Sequence, residues 1–177
     1  MSEEELLGDT GSWYGGVEPV DVGSLDDVKE ERQVIPASKG VELQVVKAEI
    51  KSNKANTYRS IHLQLRLTQG LVDNKYKGKV VFANVCYYAD PNVYTKDFFT
   101  KKQHLIQLKY LKRAIGYESN TVDGHLLEEL TGKQLLGDIT VKKSKFMIDD
   151  GKGGKEEIEQ LDNDVRNYKA MPANMQV

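Results

Sequence analysis

The chain has 177 residues, of which 39% are hydrophobic and 29% charged, so it can build one core of ordinary size with residues left over for tails. It contains no apolar run of about 18 residues, which excludes a membrane-spanning helix. Cys86 is the only cysteine, which excludes an intrachain disulfide and indicates a reducing compartment. The sequence starts Met-Ser-Glu-Glu-Glu, which is acidic where a signal peptide is basic. We therefore expect a cytoplasmic protein without a membrane partner.

Charge is divided unevenly along the chain. Residues 1–31 contain ten acidic residues and one basic residue, a net charge of −9, whereas residues 32–177 contain 24 basic and 17 acidic residues, a net charge of +7. This asymmetry indicates a polyanionic partner, although acidic termini also act as solubility devices. Residues 1–34 are too polar and glycine-rich to offset the entropy of ordering, so we expect a disordered tail there. Within it, Trp13 and Tyr14 either dock a partner or pack on the body.

The body is expected to begin at Val34 with a first strand over residues 41–51. Its alternation places Val46, Ala48 and Ile50 on one face and Lys47, Glu49 and Lys51 on the other. The pattern changes phase at Val45-Val46, which predicts a β-bulge.

The next two strands are predicted over residues 58–67 and 79–88, on either side of a polar connection. The second strand alternates cleanly, with Ile61, Leu63, Leu65 and Leu67 facing inward and Tyr58, Ser60, His62, Gln64 and Arg66 facing outward. In the third strand the same reasoning turns Val81, Ala83, Val85 and Tyr87 inward and Phe82, Asn84, Cys86 and Tyr88 outward.

Helical spacing follows. Leucines and isoleucine at intervals of three and four predict a helix over 98–115 that ends at Gly116, and a short helix is predicted over 123–131. The predicted core positions of the longer helix are Leu105, Leu108, Leu111 and Ile115.

Two strands complete the chain. The first is predicted over 133–148, with Leu135, Ile139 and Val141 in the core. A hairpin loop or disordered excursion is expected over 149–157, and a last strand over 163–171.

Three strands, one longer and one short helix, and two more strands predict a mainly β protein. A five-stranded barrel with its helix between strands 3 and 4 is the arrangement of an OB-fold. An open β-sandwich with an appended helix is the alternative. The predicted organisation is a tail (1–34), an OB-like nucleic-acid-binding domain (35–171) and a frayed C-terminus (172–177).

The sequence carries no motif that would indicate catalysis. His62, His104 and His125 lie far apart without metal-ligand spacing, and no phosphate-binding loop, dinucleotide fingerprint or nucleophile elbow is present. We therefore expect a binding protein without a cofactor or metal and not an enzyme. Sequence spacing alone leaves open a carboxylate pair among the scattered acids, as a small nuclease would need.

Aromatic and basic residues alternate on the outward faces of the predicted strands, the combination that stacks bases and contacts phosphates in single-stranded nucleic acid. The predicted binding residues are Lys47, Lys51, Lys54, Tyr58, Arg59, His62, Arg66, Phe82, Tyr88, Lys142, Lys143 and Lys145. Outward aromatics can equally lie under a helix or an oligomer partner, and strand lysines can guard an edge. A viral structural or protein-interaction module that uses the same surface is therefore the alternative function.

Three passages resemble a family of phage single-stranded-DNA-binding proteins. The first two are Ile35-Pro36 leading to the strand at 45–51, and Tyr76–Phe82 continuing to Asn92. The third is Leu130–Lys133 with the following strand, and Asn163–Tyr168 near the end. The resemblance spans about residues 33–170 and implies an OB-type fold that coats and protects single-stranded DNA during replication or recombination. The sequence leaves single-stranded RNA open as a partner. Replication or recombination proteins that contact the acidic tail, and a second copy of the chain, would be its protein partners.

Overall fold

Five strands, all paired antiparallel, form a single sheet in the order β3-β2-β1-β4-β5. The computed structural model describes residues 34–69, 71 and 74–173, all of which belong to one unit that begins at Val34. The predicted tail up to Gln33, including Trp13 and Tyr14, and residues 174–177 lie outside the described residues. The strands are β1 (Ser38–Ser52), β2 (Tyr58–Leu67), β3 (Val80–Ala89), β4 (Gln134–Asp149) and β5 (Lys155–Ala170). The prediction of a mainly β protein with five strands is confirmed.

The centre of the core is built by β2. Ile61, Leu63, Leu65 and Leu67 are completely buried, as their alternation predicts. β1 and β3 flank β2 on either side and add their own inward residues, including Leu43, Val45, Val81 and Val85. Because these residues are buried, the opposite face of β1, β2 and β3 is the one directed away from the core.

The predicted bulge in β1 is present. Val45 pairs with Leu65 and Lys47 with Gln64, so Val46 is an extra residue without a partner on β2. The backbone of Val45 is bonded on its other side to the turn that precedes β4, since its N–H donates to the Lys133 carbonyl at 2.9 Å and its carbonyl accepts from Gly132 at 2.7 Å. The bulge therefore lets Lys47, Glu49 and Lys51 face outward although Val45 faces the core.

The longer helix is broken, which corrects the prediction of one helix over 98–115. It consists of α1 (Asp97–Thr100), a 3-10 turn (Gln103–Leu105) and α2 (Ile106–Ile115). The break is at Lys102, whose φ of 57° is left-handed and cannot continue an α-helix. Among the predicted core positions only Leu111 is fully buried, while Leu105, Leu108 and Ile115 are half-buried.

The predicted helix end at Gly116 is confirmed, and the N-terminal cap of the short helix is a feature that is not among the sequence-based predictions. α2 ends at Gly116, whose φ of 71° is the left-handed conformation that glycine adopts at little cost. α3 (Gly124–Leu130) begins after Asp123, whose carboxylate accepts from the Leu126 N–H at 3.0 Å. Leu126 and Leu130 are completely buried, so α3 closes one end of the core. No helix among the described residues is long and apolar enough to cross a membrane.

The sheet curls until its two edges, β3 and β5, contact each other. The strand ladders include no pairing between these two edges among the described residues, and α2 packs on β5 while also touching β3. The result is a barrel that is open between β3 and β5 and covered there by a helix. This arrangement is OB-like, because a partly open five-stranded barrel with its helix between strands 3 and 4 is that fold.

The ends of β4 and β5 project as a two-stranded arm, which is longer than predicted. The last pairing of β4 with β1 is Ile139 with Ser38, and the strands continue to a turn at 150–154. We call residues 141–149 and 155–163 the β4–β5 arm. Two predictions are therefore wrong: residues 155–157 belong to a strand and not a loop, and Val141 is 39% exposed because no third strand covers it.

Candidate nucleic-acid interface

The registers of β1, β2 and β3 bring predicted binding residues together on the outside of the barrel. Three cross-strand rows, here called the outer face, are Lys47–Gln64–Phe82, Glu49–His62–Asn84 and Lys51–Ser60–Cys86. Neighbouring positions across such rows lie about 5 Å apart, so their side chains share one surface. The outer face therefore carries an aromatic ring, an imidazole and two lysines in adjoining positions.

Phe82 and His62 form a stacked pair on this face. Their ring centroids are 5.6 Å apart with an interplanar angle of 13°. His62 is held from the other side by Asn84, whose Oδ1 lies 2.9 Å from Nδ1 of the imidazole. The phenyl ring of Phe82 is 52% exposed, so the pair presents a fixed flat apolar surface to solvent.

A second aromatic and cationic pair lies at the end of β2. The guanidinium carbon of Arg59 is 5.0 Å from the centre of the Tyr88 ring, which is 38% exposed. Arg59 Nε also donates to Asn56 Oδ1 at 2.8 Å, which anchors the guanidinium to the β1–β2 turn. Arg59 pairs with Tyr88 and Ser60 with Cys86, so Tyr87 is an extra residue on β3 and Tyr88 comes to lie on the same side of the sheet as Arg59, at the end of the strands.

Tyr58 and Cys86 are less open than their outward parity predicts. Tyr58 is half-buried with its ring centroid 5.8 Å from that of Tyr94, and burial raises the pKa of its phenol, as does its interaction with Cys86. Cys86 is 8% exposed, its Sγ lies 3.6 Å from the Tyr88 carbonyl, and burial raises the pKa of its thiol. Cys86 therefore has the predicted outward parity but is covered, and Tyr58 offers only part of its ring.

The lysines of the outer face share one acid. Lys47 Nζ is 2.7 Å from Glu49 Oε2 and Lys51 Nζ is 3.5 Å from Glu49 Oε1. The hydrogen bond from Lys47 and the charges of both lysines lower the pKa of the Glu49 carboxyl. All three side chains are largely exposed, so these ion pairs add little to stability. Together the three residues leave a net positive charge of one along the outward side of β1.

The remaining cations of β1 and β2 are exposed. Lys54 belongs to the β1–β2 turn, and Arg66 lies between Gln44 and Val80 at the opposite end of β2. They flank the outer face along the direction of β2.

The three β4 lysines do not join the outer face. Lys142, Lys143 and Lys145 lie on the β4–β5 arm, beyond the last pairing with β1. Lys142 is paired across the arm with Asp162, and Lys145 Nζ lies 2.7 Å from Glu157 and 3.4 Å from Glu159. Two carboxylates of β5 thus pair with the charge of Lys145, whereas the prediction treats the segment at 149–157 as a loop.

An aromatic cluster lies beside the outer face, and none of its residues is among the predicted binding residues. Tyr94, Phe98, Phe99 and His104 follow one another at ring-centroid distances of 4.8 to 6.4 Å. The cluster borders a pocket of about 350 Å³ that also contains Asn84 and Arg166. The signal in the sequence is three aromatic residues within 94–99, before the predicted helix, but their convergence with β5 depends on the tertiary fold.

Among the described residues no group of three or more histidine, cysteine, aspartate or glutamate side chains could hold a metal ion. Comparison of the sequence with protein-family models and with curated proteins gives no match.

Proposed function

We propose that this protein binds single-stranded DNA along the outer face of β1, β2 and β3, with little dependence on base sequence and without covalent chemistry. The observation that carries the proposal is the Phe82–His62 pair, a rigid flat surface that is half open to solvent. A soluble domain gains nothing from holding such a ring in water, whereas a base that stacks on it gains about 1–3 kcal/mol.

Phosphates would contact the cations that border this surface. Lys47 and Lys51 lie on one side of the stacked pair, on β1. Lys54, Arg59 and Arg66 extend the positive charge along β2 and its turn. Each neutralised phosphate releases counterions, so the affinity should fall steeply with salt.

The proposed preference for any base over one particular base follows from the chemistry of the surface. Every base has a face that can stack, while the imidazole of His62 is already held by Asn84. In an OB-fold the face of strands 2 and 3 and the loop between strands 1 and 2 bind oligonucleotides. The stacked pair and Arg59 belong to those elements.

The sequence resemblance to phage single-stranded-DNA-binding proteins supports a role in replication or recombination. In this role the protein would coat and protect single strands, and the acidic segment 1–31 would recruit partner proteins. The Lys142, Lys143 and Lys145 positions would contribute only where a strand reaches the β4–β5 arm.

The test is a fluorescence titration with an oligo-dT of about 16 nucleotides, the upper end of the site sizes of one OB-fold. We expect submicromolar binding at about 50 mM salt that weakens by at least tenfold at about 200 mM. Absence of binding at the lower salt would refute the proposal. A parallel titration with oligo-rU shows whether RNA competes.

A second candidate function is a protein-interaction module, and the β4–β5 arm favours it. Phe146, Met147, Ile148 and Leu161 are 37% to 57% exposed on this two-stranded projection. Phe146 and Ile148 share one face of the arm, where Ile158 lies opposite Phe146, and such an exposed apolar patch is typical of an association surface. Sedimentation of the wild type and of Phe146→Ser distinguishes the two, because an oligomer formed through the arm would dissociate while oligo-dT binding stays unchanged.

A further inference from the structure

A pocket lies at the opening of the barrel, next to the outer face. It has a volume of about 350 Å³ and lies between β3, the 3-10 turn and the start of α2, and β5. Its lining includes Asn84, Phe98, Gln103, His104, Gln107 and Arg166. The volume is within the range of pockets that hold small planar ligands.

The pocket combines one open ring with several polar groups. Phe98 is 51% exposed and its ring contacts both Phe99 and His104. Asn84, Gln103 and Gln107 bring three carboxamides. Gln107 Oε1 already accepts from the Asn167 N–H at 2.8 Å and Asn84 Oδ1 lies 2.9 Å from His62 Nδ1, so the groups left for a ligand are chiefly the NH2 donors of these two residues and the whole carboxamide of Gln103. Such groups match the edge of a nucleobase, which also presents donors and acceptors side by side.

His104 lines the pocket and carries an unsatisfied ring nitrogen. Its Nδ1 is buried and has no hydrogen-bond partner among the described residues. Buried polar atoms without a partner are rare because desolvation costs free energy that nothing returns. Because Nδ1 is also closed off from solvent, a ligand with a complementary donor or acceptor removes this cost only if the imidazole turns toward the pocket when the ligand binds.

The charges of the pocket argue for a base and against a phosphate. The Asp164 carboxylate lines the pocket with its side chain 14% exposed, and Arg166 Nε lies 3.3 Å from its Oδ2. The single cation is therefore already neutralised, and a phosphate would meet a carboxylate beside it. A neutral ring meets no such repulsion.

The pocket is continuous with the stacked pair. Asn84 lines the pocket and also holds His62, which stacks on Phe82. A nucleic-acid strand with a base on Phe82 would therefore lie close to the mouth of the pocket, since Asn84 contacts both sites.

From these observations we infer that the pocket takes one unstacked nucleobase of the bound strand, with Phe98 as its stacking ring and the carboxamides at its edge. The inference rests on the proposed binding of single strands to the outer face. It adds a base-dependent contact that a strand of sugar and phosphate alone could not make.

The experiment compares an oligo-dT of about 16 nucleotides with an abasic deoxyribose-phosphate oligomer of equal length. Phe98→Ala should weaken oligo-dT binding by about 5- to 150-fold, the effect of removing a ring that stacks on a base, and leave abasic binding unchanged. His104→Phe keeps the ring but removes Nδ1, so it should weaken oligo-dT binding by about two- to tenfold. Val93→Ala, which removes an exposed apolar side chain outside the pocket lining, is the matched control.

A second readout follows the base itself. One 2-aminopurine is placed in turn at each position of the oligo-dT. At one position we expect its fluorescence to be quenched by stacking in the wild type and recovered in Phe98→Ala. Melting temperatures of all variants confirm that they fold.

The two proposals fail in different ways. If Phe82→Ala weakens oligo-dT binding while Phe98→Ala and His104→Phe do not, the outer face binds DNA and the pocket inference is wrong. Equal losses of Phe98→Ala on the two oligomers would also overturn it. If the wild type binds neither oligomer, both proposals are wrong.

Discussion

The imidazole of His62 and the phenyl ring of Phe82 lie 13° from parallel although they belong to different strands and are not direct partners in the ladder. His62 pairs with Asn84 and Phe82 with Gln64, so the stacked rings are diagonal neighbours across β2 and β3. Asn84, the direct partner of His62 in the ladder, holds the imidazole through its Oδ1, which lies 2.9 Å from Nδ1. The orientation of the exposed ring is thus determined by the register of two strands, before any ligand binds.

Replacement of Phe82 with alanine should weaken oligo-dT binding by about 1–3 kcal/mol, because a preformed stacking surface is lost. The fold should be unaffected since half of the ring is in solvent. Fluorescence titration gives the affinity, and Met147→Ala, which removes an exposed side chain of the β4–β5 arm, is the control. An affinity equal to that of the wild type would show that bases stack elsewhere.

Neutralising the outer-face lysines should reduce the salt dependence of oligo-dT binding and leave the fold unchanged. Lys47→Gln and Lys51→Gln should each lower the slope of log affinity against log salt by about 0.7, the contribution of one phosphate on a single strand. Glu49→Gln should strengthen binding at low salt, because the carboxylate that both lysines contact is removed. Lys109→Gln on α2 should leave the slope unchanged, and an identical loss there would mean that the charge acts only through the net charge of the protein.

Gly137 lies where two core side chains leave no room for a methyl group. A Cβ at this position would be 2.7 Å from Val165 Cγ1 and 3.0 Å from Leu43 Cδ1. Gly137→Ala should therefore lower the free energy of unfolding by about 1–3 kcal/mol through overpacking. Urea denaturation measures the loss. Gly124→Ala at the start of α3 has nothing within 4 Å of the new Cβ and should be neutral or slightly stabilising.

Asn163 fastens the first described residues to the barrel. The Ile35 N–H donates to Asn163 Oδ1 at 2.9 Å, and Asn163 Nδ2 donates to the Ile35 carbonyl at 2.7 Å. Asn163→Ala should cost about 1–3 kcal/mol, because both backbone groups of a buried residue lose their partner. Asn163→Asp keeps the acceptor but turns a carboxylate oxygen toward the Ile35 and Thr140 carbonyls, to which Asn163 Nδ2 donates at 2.7 and 3.3 Å, so we expect a loss at least as large as for alanine. The exposed Asn120→Ala is the control, and thermal melts rank the three variants.

The negative segment of the chain should oppose the binding of a polyanion. Deletion of residues 1–31 removes a net charge of −9 and leaves a body of net positive charge. Oligo-dT affinity should rise at about 50 mM salt, and the gain should shrink at about 200 mM because salt screens exposed charges. An affinity that is unchanged at the lower salt would limit the segment to a role in solubility or partner recruitment.

The sequence predicts the central strands well because burial on one face leaves a strong pattern. The bounds of β2 and its four buried residues follow from period-two alternation, and the phase change at Val45-Val46 marks the bulge correctly. The arm is different. Val141 has the right parity for the core, but β1 ends its pairing at Ile139 and no neighbour covers the next inward position.

The surface is harder to predict than the core, since it depends on which strands meet. Parity places Phe82 and His62 outside, but only the register of β2 with β3 shows that they stack. Lys145 reads as a free cation in the sequence, and it is bonded to Glu157 and Glu159 because their segment is a strand. The helix break at Lys102 could not be predicted, because no glycine or proline marks it in the sequence.

The bulge at Val46 affects the curvature of β1 but not the face on which its other side chains lie. Val45 and Lys47 pair with Leu65 and Gln64, which are adjacent on β2, so a chain lacking Val46 would keep every other side chain of β1 on its present face. The loss would instead be one of curvature, because a bulge bends its strand and increases the local twist. Deletion of Val46 should therefore flatten β1 where it carries Lys47 and Lys51. The other side chains of the outer face and of the core would stay the same.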